Sequence, residues 1–141
     1  MDVTLDAGAL QAFLRDHFPQ VETRYHVESV APMRLVVRMP VSEQHLRPGG
    51  TVSGPSMFAL ADVSVYLAVL AMIGPEALAV TTSCHMDFMR KPAAGRDLIA
   101  ETRLLKLGRA LAVGDVLIHS DGTDAPVARA SLTYSIPPRR A

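Results

Sequence analysis

Gly49-Gly50-Thr51-Val52-Ser53-Gly54-Pro55, running on through residues 56–73, is the stretch whose reading decides the fold. Between Met57 and Ile73 only Asp62 and Ser64 interrupt an apolar run, so no face of this segment suits water. A helix that is hydrophobic all round is buried in a core or a bilayer. Pro55 fits a first turn, where its missing N–H is not needed, and Gly49 and Gly50 before it permit a tight approach. The spacing therefore predicts a helix starting between Ser53 and Ser56.

A bilayer is the poorer of the two environments. The run approaches the ~20 residues a spanning helix needs. Against it, a central Asp costs roughly 3 kcal/mol on insertion scales, no basic cluster flanks either end, and the rest of the chain alternates like strands. A helix wrapped by a sheet satisfies the same pattern. Asp62 then needs a partner or a cleft, because an isolated buried charge is very costly. It caps a neighbouring backbone, pairs with an arginine such as Arg90 or Arg103, or carries a function.

Outward from this segment, Leu10, Phe13, Leu14 and Phe18 recur at helical spacing, with Asp6 as cap and Pro19 as stop. Strands are expected over residues 23–30, 34–39, 77–90, 97–106, 110–119 and 127–136. Ala31-Pro32-Met33, Pro92-Ala93-Ala94-Gly95, Leu107-Gly108-Arg109 and Asp121-Gly122-Thr123-Asp124 supply the turns. The order helix, two strands, long buried helix, four strands is α+β, with antiparallel connections predominating. One domain over residues 1–141 accommodates it.

Basic and acidic residues balance at 14 each, which gives no electrostatic footprint for nucleic acid or an anionic membrane. One cysteine, Cys84, excludes an intrachain disulfide and a cysteine-based metal cluster, and a cytoplasmic setting is expected. Cys84 reads as a small core hydrophobe. The five histidines show no metal spacing, so no metal site is expected. Residues 1–6 lack the basic and apolar regions of a signal peptide, so secretion is not expected. Gly50-x-x-Ser53-Gly54 is not the elbow of a serine hydrolase. Hydrophobic content is 49%, which suggests that the domain completes its core by oligomerising.

Three places resemble hotdog-fold thioesterases of the phenylacetate-degradation (PaaI-like) type. Residues 50–55 with Phe58-Ala59-Leu60-Ala61-Asp62 are similar to the family's Gly-x-x-His-Gly-Gly motif and the Leu-x-Asp that follows on its helix. His85-Met86-Asp87-Phe88-Met89-Arg90-Lys91-Pro92-Ala93 resembles its strand ending in an aromatic, an arginine and a proline. Residues 97–107 with Gly108-Arg109 resemble the next strand and turn. The resemblance implies an antiparallel six-stranded sheet wrapped around a central apolar helix, with a short N-terminal helix added here.

It also implies a function, acyl-CoA thioester hydrolysis. The Gly54 N–H would bind the thioester oxygen, Asp62 from the partner subunit would act as nucleophile or general base, and Thr81, with Thr82 beside it, would assist. The physics agrees, since a helix N-terminus offers free N–H groups to a developing oxyanion. Three positions depart from the family: Ser53 replaces its histidine, Pro55 its second glycine, and Arg47 an asparagine. Arg47 could bind a ligand carboxylate or phosphate, or pair with Asp62. Ser53, Pro55, Thr82, Arg90 and Lys91 are further substrate-binding candidates, and some of the basic residues Arg90, Lys91, Arg96, Arg103, Lys106 and Arg109 would hold the phosphates of a CoA ester. No cofactor is implied, coenzyme A being part of the substrate. The family implies a homodimer, and back-to-back pairing of dimers a homotetramer.

Two other functions compete. One is a non-catalytic acyl-CoA binding or regulatory protein, favoured if Arg47 neutralises Asp62. The other is an acyl-thioester hydratase or dehydratase, which would need a histidine aimed at the substrate. Asp16-His17-Phe18-Pro19 echoes the His-Phe-Pro of hotdog dehydratases but reads as a helix terminus.

Overall fold

The expected central helix is α3, Gly54–Ile73. Ser53 is its N-cap, accepting the Ser56 N–H, and Pro55 lies in its first turn. At the other end Gly74 adopts φ 93 and donates its N–H to Leu70 O, closing the last turn. The computed structural model to which these elements belong describes residues 2–138. By length and composition α3 could cross a membrane, yet it lies mostly buried inside the fold.

Six strands surround it: β1 (His26–Ala31), β2 (Arg34–Met39), β3 (Val80–Phe88), β4 (Leu98–Leu107), β5 (Leu111–Ser120) and β6 (Pro126–Ser135). They form one sheet in the order β1-β2-β4-β5-β6-β3, every neighbour antiparallel. The inward phase of each central strand is apolar, with Leu35, Val37 and Met39 on β2, Leu98 and Ala100 on β4, Ala112, Val116 and Ile118 on β5. These side chains pack on Leu60, Leu67 and Leu70 of α3 in one core. Strand alternation and an all-apolar helix thus solve each other's burial problem. Gly114 of β5 marks where helix and sheet approach closely, for a Cβ there would lie 3.2 Å from both Val65 methyls and 3.3 Å from Leu104 Cδ2.

The N-terminal segment forms α1 (Ala7–His17), capped by Asp6 accepting the Ala9 N–H at 2.8 Å. Leu10, Phe13 and Leu14 are its buried face. Pro19 does not merely stop it: it opens a second short helix, α2 (Pro19–Glu22), because proline's fixed φ suits a first turn. The first strand consequently starts at His26, later than expected. Residue 77 likewise lies outside β3, whose first residue is Val80.

Cys84 corrects an expectation. It is exposed, because β3 pairs only with β6 and has no neighbour on its outer edge.

The connection from β2 to α3 is tied down at both ends. Arg38 bonds Glu28, Asp97 at 3.1 Å and Asp121 at 2.8 Å, and the Asp97 carboxylate also accepts the Val41 N–H at 3.1 Å. These three carboxylates hold the Arg38 guanidinium charged well above its ordinary value. Further on, Gly49 and Gly50, at φ 97 and 79, turn the chain so that Leu46 bridges Val52 and His45 O accepts the Ser53 N–H at 2.8 Å. Arg47 rides on this turn, its N–H donating to Thr51 O at 2.9 Å.

Candidate active site

Two groups of residues stand out, and they lie on one helix at different heights. The first surrounds the start of α3. A cleft of about 440 Å³ is lined by Arg47, Gly54, Met57, Phe88, Arg90 and Lys91, among others. Gly54 is the first residue of α3, and its N–H has no intrahelical carbonyl to bond. The absence of a side chain there matters, because a Cβ on Gly54 would sit 3.3 Å from Phe88 Cζ. Glycine lets the Phe88 ring rest over the helix terminus and leaves the main chain as the cleft's polar wall. Arg90 donates to Pro126 O at 2.7 Å, which fixes one end of its guanidinium and leaves the remaining donors to the cleft.

The second group surrounds Asp62. Its carboxylate is half-buried, and among the described residues it forms no ion pair. The arginine pairing considered for it with Arg90 or Arg103 is absent. Two hydroxyls take that place: Thr81 donates to Oδ1, and Tyr134 donates to the same oxygen at 2.7 Å. Tyr134 also lies 2.9 Å from the main-chain oxygen of Asp62. Burial, then the adjacent Asp62 charge, push the Tyr134 phenol far above its ordinary value, so it stays a donor.

The sheet explains why these hydroxyls converge. Thr81 and Tyr134 are direct cross-strand partners, and a bulge then lets Ser83 oppose Thr133, leaving Thr82 as the extra residue. Thr82 is exposed and donates to Thr133 O at 3.3 Å, so it does not accompany Thr81 to the carboxylate. Ser53 serves α3 as its cap and contacts Ser56 Oγ at 2.9 Å, while Pro55 is exposed beside the cleft rather than among its lining residues. Arg47 lies in the cleft and not on Asp62 of its own chain.

Tyr134 was not among the residues singled out by sequence. One signal could have found it: a tyrosine on the inward phase of an apolar strand must place its O–H on some acceptor, and Asp62 was the carboxylate lacking a partner.

Eight residues separate Gly54 from Asp62, a rise of about 12 Å along α3. One thioester carbonyl cannot touch both in a single chain. Pro55, Phe58 and Asp62, at spacings of three and four, form the open stripe of the helix.

Comparison with known proteins bears on these groups together. The family model described as Thioesterase superfamily matches residues 49–127, which include Gly54, Asp62, Thr81 and the cleft's lining residues other than Arg47. A crystal structure from Silicibacter sp. TM1040, named a "putative thioesterase", is 59% identical, with 98% of this chain and 96% of that one covered and a TM-score of 0.91. A variant of the phenylacetic acid degradation protein PaaI from Thermus thermophilus is 33% identical over 84% of this chain and 99% of its own, with a TM-score of 0.72. Acyl-coenzyme A thioesterase 13 of Mus musculus is 27% identical over 79% of either chain.

Proposed function

Because this chain belongs to the thioesterase superfamily, we propose that it hydrolyses acyl-CoA thioesters at a centre built from the Gly54 end of one α3 and the Asp62 region of another. The observation that carries this reading is the cleft at Gly54, where the free Gly54 N–H and three cationic side chains share one space. The helix terminus suits an oxyanion, and Arg47, Arg90 and Lys91 suit the phosphates of the CoA moiety. Asp62 supplies the base or nucleophile. As a base it takes a proton from water while the water oxygen bonds the carbonyl carbon. Collapse of the tetrahedral intermediate breaks the C–S bond, and the departing thiolate takes the proton back. Thr81 holds the carboxylate throughout.

A hydratase or dehydratase is the weaker reading, since the described residues lining the cleft include no histidine. Turnover of a panel of acyl-CoAs, measured beside equilibrium binding to the same panel, tests the proposal. Hydrolysis at rates of an ordinary enzyme supports it. Binding without turnover assigns the chain to the non-catalytic class.

The centre requires two chains. The rise of about 12 Å along α3 favours a centre shared between two chains if Gly54 and Asp62 serve one carbonyl. In addition, β3 leaves one edge of the sheet open, with Val80 and Phe88 more than half exposed. A second copy covers that edge and brings its Asp62 to the first chain's cleft. Sedimentation at micromolar concentration is expected to show a dimer or tetramer. Monomer alone would remove the shared centre.

Arg47 grips the ligand in this scheme. Arg47→Ala is expected to raise KM for acyl-CoA roughly tenfold with kcat nearly unchanged, the pattern of lost uniform binding. A fall in kcat at constant KM would place Arg47 on the water or the carboxylate.

A further inference from the structure

We infer that Tyr134 is a positioning residue for Asp62: with Thr81 it engages Oδ1 and so presents Oδ2 as the oxygen that meets water or the thioester carbon. This rests on the reading of Asp62 as base or nucleophile.

The geometry is asymmetric. Both hydroxyl donors reach Oδ1, and among the described residues no hydrogen bond reaches Oδ2. A carboxylate has roughly four acceptor positions. Two donors on one oxygen bias its charge toward that side and stop rotation of the carboxyl group about its terminal bond. Tyr134 also fixes the main chain beneath, through its 2.9 Å approach to Asp62 O. The single phenol proton is thus shared between the carboxylate, which it approaches more closely, and the main-chain oxygen of the same residue.

Tyr134 is itself rigid. It lies 3% exposed, paired to Thr81 on one side and Ala112 on the other, with its ring 6.1 Å from that of Tyr66. The titratable groups that sense the Asp62 charge are Tyr134 from β6, Tyr25 ahead of β1 and Cys84 from β3. Burial raises all three first, and the carboxylate adds to it. For Tyr25, Arg24 opposes these effects. All three acids are thus held neutral, and no cation among the described residues replaces the hydroxyl donors.

Tyr134→Phe keeps the ring and deletes the donor. Losing one hydrogen bond to a charged group costs about one pH unit in a titration. The expected result is a kcat about tenfold lower at near-neutral pH, an unchanged KM, and an acid limb of the kcat profile displaced upward by about one pH unit. Tyr66→Phe is the control, because Tyr66 donates instead to Ala77 O at 3.2 Å. It should leave the limb in place. Replacing Tyr134 by 3,5-difluorotyrosine, a stronger donor of nearly the same shape, should move the limb downward, and it reads the same bond if the phenylalanine variant does not fold.

An unmoved acid limb in both Tyr134 variants overturns the inference, as does an equal displacement in Tyr66→Phe. Asp62→Asn, assayed alongside, separates two failures. If it abolishes turnover while the Tyr134 variants behave as wild type, the positioning role alone is wrong. If it leaves turnover intact, the role of Asp62 is wrong as well.

Discussion

Asp62→Asn is expected to lower thioesterase kcat by roughly 100-fold or more, about 2.7 kcal/mol of transition-state stabilisation, the range for loss of a general base. The amide keeps the shape of the carboxylate and can still accept from Thr81 and Tyr134 through its oxygen. It removes the basicity and the negative charge. Folding should survive, because the substitution discards a half-buried charge that no cation among the described residues balances. Substrate binding should change little, since the Gly54 donor and the cations of the cleft are all retained. The measurement is kcat, KM and Tm for both proteins on one acyl-CoA. Turnover equal to wild type would remove Asp62 from the chemistry, and loss of the folded state would make it a structural residue.

The second large effect concerns packing. Gly114→Val is expected to destabilise the fold by about 2 kcal/mol, lowering Tm on the order of 6 °C. Two influences oppose each other. Valine favours a strand by up to roughly 1 kcal/mol over glycine. Against that, its Cβ alone would stand 3.2 Å from both Val65 methyls and 3.3 Å from Leu104, and two further methyl groups have nowhere to go. Overpacking wins. The helix must lift from β5 at Val65, three residues beyond Asp62, so activity should fall together with stability. A Tm at or above that of wild type would show that the helix–sheet contact can give way without cost.

The parts of this architecture legible in the sequence are those governed by local patterning. An apolar run with Pro55 in its first turn was legible as a buried helix, and alternation located all six strands to within a few residues. Strand order was not legible, because nothing local tells β3 to cross to the far edge beside β6 rather than pair with β2. The exposure of Cys84, read as a core residue, follows from the same omission, since β3 is an edge of the sheet. At the site, the resemblance led to Thr81, and the bulge that separates it from Thr82 explains why only one of the two threonines reaches the carboxylate. Tyr134 lies 72 residues from Asp62 in the chain. A period-two pattern gives its phase in the strand but not what its hydroxyl meets.

The distance between Gly54 and Asp62 on one helix carries a genetic consequence. If each centre draws its amide from one chain and its carboxylate from another, two defective alleles can rescue each other. A chain without a working Gly54 donor and a chain without the Asp62 carboxylate assemble, as a mixed pair, one centre with both parts intact. Put the two lesions on the same chain and the outcome inverts, for that chain, joined to a sound one, spoils both centres. Complementation in the first arrangement and dominance in the second are the inheritance pattern of a catalyst whose halves sit too far apart to serve their own molecule.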